Sequence, residues 1–254
     1  MIGWERKIPR RPTTLETPGG NGAAIMQAEQ HQGDGLQYLT ITPDGYDPEK
    51  SYPLIVMLHG FGANMQDLAG LAPAINSTGY VYACPNAPIP FELGGGHTGF
   101  GWTSPRDMYK EGEVEEAEKL LDGFFGEVFE KFNVGADRSI LMGFSQGGRM
   151  TYRCGMGRPQ PFAGLAALSA SLSEPAELEA RLPADRSQPI FVAHGTSDAQ
   201  IAAENAHNAI KWLEEFGFQP EYHEYNMGHS ISDEELRDLI PWMGKILPPQ
   251  EPSK

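Results

Sequence analysis

Short, almost uninterrupted apolar runs recur along the chain, and longer amphipathic segments separate them. The clearest run, residues 53–58, has no polar side chain, which is typical of a strand buried on both faces. From Val114 to Phe132 the apolar residues are instead spaced three and four apart, as on one face of an amphipathic helix. Alternation of such strands and helices predicts an α/β fold, with a mostly parallel twisted sheet covered by helices on both faces.

The other predicted elements continue this alternation. Further strands are expected at 36–41, 80–84, 139–144, 162–168, 189–192 and 221–225. A helix should begin near Gly147, and another should span 202–216 and end at Gly217. Ser232 and Glu235 form a capping box that opens a last helix, which Pro241 should kink or end early.

Two segments lack a periodic pattern. Residues 1–34 are polar and rich in glycine and proline, so we expect an N-terminal arm that is extended or partly disordered. The α/β domain is then expected over residues 35–254. Residues 85–112 hold proline, glycine and aromatic residues without a clear period, and a loop of this length is usually functional.

The start of the chain and its cysteines bear on its compartment. Several basic residues lie within 1–12, but no apolar stretch follows them, so no secretory signal is evident. Cys84 and Cys154 form neither a disulfide framework nor the spacing of a metal site. These features favour a cytoplasmic protein without a metal, although a signal peptide already removed would leave no trace.

The charge balance excludes several classes of partner. The chain has 19 Lys and Arg residues against 34 Asp and Glu residues, for a formal net charge of −15. Such a chain is repelled by nucleic-acid phosphates and by anionic membrane surfaces. Its longest nearly apolar run, 162–172, is too short to span a bilayer. We therefore expect a small, neutral substrate, no nucleic acid and no membrane insertion.

The sharpest local signal is the G-x-S-x-G sequence at 143–147, which begins at the end of the predicted strand at 139–144. A serine at a strand-to-helix reversal needs small neighbours so that the turn can close, and the turn then presents its hydroxyl above the sheet. This context makes Ser145 a candidate nucleophile. The pentapeptide alone would also fit a glycine-rich turn with an incidental serine.

A serine nucleophile needs a histidine base, and in this arrangement the base follows the serine in the chain. Four histidines do so: His194, His207, His223 and His229. His207 lies on the polar side of a predicted helix, His223 lies within a strand, and His194 precedes the best candidate acid. His229 follows a strand on a loop, where it could reach Ser145. An imidazole base predicts activity that falls as the pH drops through about 6–7.

The acid that orients the base is expected after the strand at 189–192. Asp198 stands on the loop that leaves this strand, where it could accept the Nδ1 proton of His229. The alternative is that Asp198 only caps the next helix. Asp185, in a polar linker, and Asp233, at a helix start, are weaker candidates.

An oxyanion-stabilising turn is expected directly after the strand at 53–58. Glycines on both sides of Phe61 would let its backbone N–H point into the site, and the N–H of Gln146 would be the second donor. The neighbouring His59 is expected to be structural.

Four motifs in this order resemble the phospholipase/carboxylesterase family of α/β-hydrolases, which includes acyl-protein thioesterases and small bacterial carboxylesterases. The motifs lie at 58–62, 137–148, 194–198 and 228–229, and the resemblance covers roughly residues 36–247. It implies the α/β-hydrolase fold and an ester or thioester hydrolase without a cofactor. It also implies Ser145, Asp198 and His229 as the triad, Phe61 and Gln146 amides as the oxyanion hole, and makes a homodimer plausible.

Two positions depart from the family pattern and leave the subfamily open. Ala63 stands where an acidic residue is usual, and Arg149 where a small residue is more usual.

The substrate pocket is expected to be apolar. Its candidate lining residues are aromatic or sulfur-containing: Phe61, Phe91, Phe100, Trp102 and Met227. With the acidic charge, this favours a serine carboxylesterase acting on neutral short- to medium-chain acyl esters. A lysophospholipase or acyl-protein thioesterase is the alternative within the class, and a non-catalytic ligand-binding protein of the same fold is the alternative outside it.

Overall fold

The computed structural model of the protein describes residues 13–16, 25–105, 107–156 and 162–251. Within them, eleven strands alternate with six α-helices and one short 3₁₀ turn, Leu68–Leu71. The strands are β1 (Thr13–Glu16), β2 (Ile25–Gln32), β3 (Gln37–Thr42), β4 (Leu54–Leu58), β5 (Val81–Pro85), β6 (Ile89–Glu92), β7 (Thr98–Gly101), β8 (Ser139–Phe144), β9 (Gly164–Leu168), β10 (Ile190–Gly195) and β11 (Glu221–Tyr225). The helices are α1 (Ala72–Ile75), α2 (Glu113–Lys131), α3 (Gln146–Gly155), α4 (Pro175–Glu179), α5 (Glu204–Glu215) and α6 (Asp233–Ile246).

Nine of these strands form one sheet in the order β1-β2-β3-β5-β4-β8-β9-β10-β11. The last six strands in this order, β5-β4-β8-β9-β10-β11, run parallel to one another. The first three are antiparallel to their neighbours. The prediction of an α/β fold with a mostly parallel sheet is therefore confirmed.

Helices cover both faces of the sheet, which explains the uninterrupted apolar run of β4. Its alternate residues Leu54, Val56 and Leu58 belong to the core cluster that includes residues of α2 and α5. Ile55 and Met57 belong to the cluster on the other face, which includes residues of α6. Because side chains alternate along a strand, a strand between two helix layers must be apolar at every position.

The structure differs from the sequence prediction at the N-terminus. Ile25–Gln32, expected in an arm outside the domain, forms strand β2, and its residues 27–32 pair with β3. The pairing satisfies its backbone groups, while Met26 and Ala28 point into the core. The sheet thus begins before the predicted boundary at residue 35. Residues 1–12 and 17–24 of the predicted arm lie outside the described residues.

Two further expectations need correction. The segment at 85–112, expected to lack regular structure, contains the hairpin of β6 and β7. Helix α6 runs through Pro241, so of the two expected effects of this proline, a kink or an early end, the early end is wrong. Proline has no N–H to donate to the Arg237 carbonyl one turn earlier. Because Pro241 and Arg237 are both exposed, water can donate to that carbonyl instead.

Among the described residues, no helix is both long enough and apolar enough to cross a membrane.

Candidate active site

Ser145 lies at the reversal between β8 and α3, with a φ of 55° and a ψ of −118°. The flanking glycines allow this turn because a Cβ at Gly143 would lie 2.3 Å from the Gly147 carbonyl oxygen. A Cβ at Gly147 would lie 2.1 Å from the Leu58 carbonyl oxygen. Both distances are well inside van der Waals contact, so the G-x-S-x-G spacing follows from the close approach of α3 to β8 and β4.

The structure brings Ser145, His229 and Asp198 into one hydrogen-bonded chain. His229 Nε2 lies 2.8 Å from Ser145 Oγ, and His229 Nδ1 lies 2.6 Å from Asp198 Oδ2. The three residues follow β8, β10 and β11, whose carboxyl ends share one edge of the sheet because the strands are parallel. With the Nδ1 proton donated to Asp198, Nε2 is free to accept the serine proton.

Asp198 is held in its ionised form by the loop that carries it. Its Oδ1 accepts hydrogen bonds from the N–H groups of Gln200 and Ile201, at 2.8 and 2.9 Å. Burial would raise the pKa of Asp198, but the bonds from Ile201, His229 and Gln200 outweigh it and lower that pKa below its ordinary value. Asp198 can therefore stabilise an imidazolium at His229.

The other candidate histidines have different partners. His194 is fully buried, and its Nε2 donates to the Ile201 carbonyl at 2.8 Å. His207 bonds Glu224 across the sheet edge, and His223 Nε2 lies 3.0 Å from Glu221 Oε1.

The two weaker candidate acids also lie elsewhere. Asp185 accepts from the Ser187 N–H in the linker before β10, and Asp233 is the first residue of α6.

The turn that holds Phe61 packs directly against Ser145. A Cβ at Gly60 would lie 3.3 Å from Ser145 Cβ. Among the described residues, neither the Phe61 N–H nor the Gln146 N–H donates to another protein group. Both amides are therefore available to an oxyanion formed on a substrate carbonyl.

His59 holds the turn that contains Phe61 by hydrogen bonds, and it is buried, as expected of a structural histidine. Its Nε2 accepts from the Ala87 N–H at 3.0 Å, so its Nδ1 carries the proton and donates to the Gly60 carbonyl at 2.7 Å. Burial lowers the pKa of His59 to about 4, although the bond to Gly60 opposes that change. His59 thus stays neutral while it orients the turn.

The side chain of Gln146 has a positioning role that the sequence did not reveal. Its Oε1 accepts from the Trp102 N–H at 2.7 Å, and its Nε2 donates to the Thr103 carbonyl at 2.8 Å. Trp102 Nε1 in turn donates to the His59 carbonyl at 2.9 Å. These residues are far apart in the chain, and no local pattern links them.

Trp102 was expected to line the substrate pocket, and the structure corrects this. Its side chain has no exposed surface and belongs to the core. It supports the turn that holds Phe61 from the interior through its bond to the His59 carbonyl.

The other pocket candidates lie nearer the surface. Phe61 is 44% exposed, and its ring centroid lies 4.9 Å from that of the half-buried Phe91. Phe100 and Met227 are half-buried. Leu93, at the tip of the β6–β7 hairpin, was not singled out by the sequence; it is 55% exposed and lies close to Gly62.

Among the described residues, no group of three or more His, Cys, Asp or Glu side chains is placed to hold a metal ion.

Comparison with known proteins identifies the family. The family model described as phospholipase/carboxylesterase matches residues 46–247. The chain belongs to the phospholipase/carboxylesterase family. Membership confirms the sequence-based assignment, and the protein is a carboxylic ester hydrolase with the α/β-hydrolase fold.

Individual phospholipase/carboxylesterase relatives agree with this assignment. Acyl-protein thioesterase 1 of Mycosarcoma maydis is 29% identical over 240 residues, 85% of this chain and 99% of that one. Carboxylesterase SOBER1 of Arabidopsis thaliana is 30% identical over 162 residues, 63% and 65% of the two chains. The crystal structure of esterase PE8 superposes with a TM-score of 0.67 at 26% identity, covering 78% of this chain and 94% of that one.

Proposed function

We propose that the protein is a serine carboxylesterase that hydrolyses neutral short- to medium-chain acyl esters through an acyl-enzyme at Ser145. The observation that carries the proposal is the continuous chain from Ser145 Oγ through His229 to Asp198, with bonds of 2.8 and 2.6 Å. This is the arrangement by which a weak hydroxyl nucleophile is activated.

In the first half-reaction, Ser145 Oγ attacks the ester carbonyl carbon while His229 Nε2 takes its proton. The carbonyl oxygen becomes an oxyanion, which the N–H groups of Phe61 and Gln146 stabilise. His229 then gives the proton to the alkoxide that leaves, so an alcohol departs and an acyl-serine remains. Asp198 stabilises the imidazolium throughout.

In the second half-reaction, His229 takes a proton from water as the water oxygen attacks the acyl-serine. The proton passes to Ser145 Oγ as the bond between that oxygen and the acyl carbon breaks, and a carboxylic acid is released. Acidification should inactivate the enzyme because an imidazolium cannot accept the serine proton.

The surroundings of Ser145 favour a neutral, apolar substrate. Phe61, Phe91 and Leu93 present apolar surface beside the oxyanion turn. Arg149, the cation one helical turn after Ser145, is engaged by Glu174 in an ion pair. An anionic substrate would have to compete with that carboxylate in a chain of net charge −15.

A fluorophosphonate probe tests the nucleophile. The parent protein should be labelled and should lose its esterase activity, whereas Ser145→Ala should not be labelled and should have no esterase activity before the probe is added. Ser51→Ala, at an exposed serine before β4, is the matched control and should behave like the parent. Undiminished labelling of Ser145→Ala would refute the assignment.

The acyl-chain preference is tested by kcat/KM on p-nitrophenyl esters from acetate to laurate. We expect the maximum among the short- to medium-chain members. A maximum at laurate would contradict the short-chain part of the proposal.

Acyl-protein thioesterase activity is the second candidate. It is supported by the similarity to a protein named acyl-protein thioesterase 1 over 85% of this chain. Efficient hydrolysis of a palmitoylated peptide thioester, with poor hydrolysis of short esters, would favour it.

A further inference from the structure

We propose that the protein has a second binding site, for an organic carboxylate, at the opposite end of the strands from Ser145. A cavity of about 600 Å³ lies there, within the range of volumes that hold small organic ligands. The lining residues used in the argument are Arg186, Ile190, Glu221, Trp242, Lys245 and Ile246.

The cavity is separate from the active site. Ile190 and Glu221 are the first residues of β10 and β11, and the last turn of α6 supplies Lys245 and Ile246. The triad residues follow the other ends of these parallel strands. At about 3.3 Å per residue, the two ends of β10 lie roughly 16–20 Å apart.

The charged lining of the cavity is more cationic than the chain as a whole. Its charged lining residues are Arg186, Lys245 and Glu221, and the Glu221 carboxylate lies 3.0 Å from His223 Nε2. Asp185 also lies near Arg186, but it is not part of the lining and accepts from the Ser187 N–H. The net charge of the chain is −15, whereas this lining holds two cations and one acidic group. The balance favours a ligand with one negative charge.

Arg186 is the lining residue on which the proposal depends most. Its Nε donates to the Phe216 carbonyl at 3.1 Å, and its guanidinium carbon lies 5.5 Å from the centroid of the Phe218 ring. Its Nη1 is buried and has no hydrogen-bond partner among the described residues. A guanidinium N–H without an acceptor is costly, and a carboxylate oxygen is the acceptor that it binds best. The Arg186 side chain as a whole is only half-buried, so a carboxylate in the cavity would relieve that cost once the guanidinium turns Nη1 towards it.

The rest of the wall is apolar and partly aromatic. Ile190 is buried and Ile246 half-buried, and Trp242 is held against Phe191 with ring centroids 5.4 Å apart. These side chains suit an apolar, flat body attached to the carboxylate. A monocarboxylate such as benzoate combines both parts, so we take it as the probe.

Binding is tested by titrating the ¹⁵N-labelled full-length protein with benzoate. The indole N–H resonance of Trp242, assigned by its loss in Trp242→Phe, should shift and saturate. Arg186→Gln should weaken the affinity at least about 10-fold, since it removes a charge-assisted hydrogen bond. Lys119→Gln, at a lysine side chain 79% exposed on α2, is the charge-matched control and should bind like the parent.

Two further probes separate the two halves of the recognition. Acetate carries the charge without the ring, and benzyl alcohol carries the ring without the charge; both should bind more weakly than benzoate. Equal binding of acetate would refute the apolar half, and equal binding of benzyl alcohol would refute the ionic half. Ser145→Ala should bind benzoate unchanged, whatever the outcome for catalysis.

The proposal fails if the Trp242 resonance does not respond to benzoate, or if Arg186→Gln binds as tightly as Lys119→Gln. If Arg186→Gln does not fold, Lys245→Gln takes its place, because Lys245 is exposed and its loss should not disturb the fold. Lys245→Gln should then weaken benzoate binding, and an unchanged affinity would overturn the proposal.

Discussion

Gly147 shows how one missing methyl group shapes the active site. An added Cβ would meet the Leu58 carbonyl oxygen at 2.1 Å, and neither backbone can retreat without moving α3 or β4. We expect Gly147→Ala to lower the free energy of unfolding by about 3 kcal/mol, at the upper end of overpacking effects. Urea denaturation followed by circular dichroism measures this.

Gly126 provides the matched control for that substitution. It is exposed within α2, and nothing lies within 4 Å of the position that its Cβ would take. Gly126→Ala should therefore raise the free energy of unfolding by about 0.5–1 kcal/mol, the usual gain of alanine over glycine in a helix. Equal effects at Gly147 and Gly126 would contradict the inference that a Cβ at Gly147 clashes with the Leu58 carbonyl oxygen.

Asp198 is expected to matter for catalysis more than for folding. An asparagine can accept the loop N–H bonds but cannot stabilise an imidazolium and can hold the wrong tautomer of His229. Asp198→Asn should lower kcat by about 10⁴-fold, as removal of the charge does in other serine triads. Asp185→Asn, at the alternative acid considered from the sequence, should leave kcat unchanged, and a loss there would contradict the assignment.

At the scale of elements, the sequence predicted most accurately those segments whose signal is local. β8 and β11 were placed at their observed bounds, and the capping box of Ser232 and Glu235 is present. Gly217 follows α5 with a φ of 85°, as expected of a residue that ends a helix. Each of these depends on side chains within a few residues.

Elements that depend on distant partners were missed. β2 is a strand because β3 pairs with it, and its outward residues after Ile25 are polar, so its sequence resembles that of an arm. The β6–β7 hairpin is held to the oxyanion turn by two backbone bonds of 2.8 Å between Phe100 and residues Gly62 and Ala63. Neither partner can be read from a local pattern.

The first turn of α6 contains a buried acid that should make stability depend on pH. Glu235 is fully buried, and burial raises its pKa to about 8, although the Ser232 N–H opposes that rise. The raised pKa means that the folded state holds a proton that the unfolded chain releases. The contribution of this proton to the free energy of unfolding is therefore fully present below the ordinary pKa of 4.5 and is lost as the pH rises towards 8.

Glu235→Gln tests this, because glutamine keeps the capping oxygen and does not ionise. As the pH rises through that window, the free energy of unfolding of the variant minus that of the parent should increase by up to about 1.4 kcal/mol for each pH unit. Urea denaturation at mildly acidic and mildly alkaline pH measures the difference. Glu234→Gln, at the exposed neighbour, should follow the parent, and parallel profiles for both variants would refute the prediction.

At the scale of the whole molecule, the convergence of the candidate site could be predicted because it follows from topology. Parallel strands place their carboxyl ends at one edge, so residues after β8, β10 and β11 meet although His229 follows Ser145 by 84 residues. The burial of Trp102 could not be predicted in the same way. Whether an aromatic residue lines a pocket or fills the core depends on every element around it.

The net charge of −15 gives the last prediction. The field of an acidic protein repels an anionic substrate before contact, and salt screens that field, with a Debye length of about 10 Å at 0.1 M. The value of kcat/KM for the anionic mono-p-nitrophenyl succinate should therefore rise several-fold as the salt concentration increases from low to physiological. Neutral p-nitrophenyl acetate should show little change and is the control. A decrease for the anionic ester would show instead that a cation near Ser145, with Arg149 the nearest along the helix, attracts the substrate despite its pairing with Glu174.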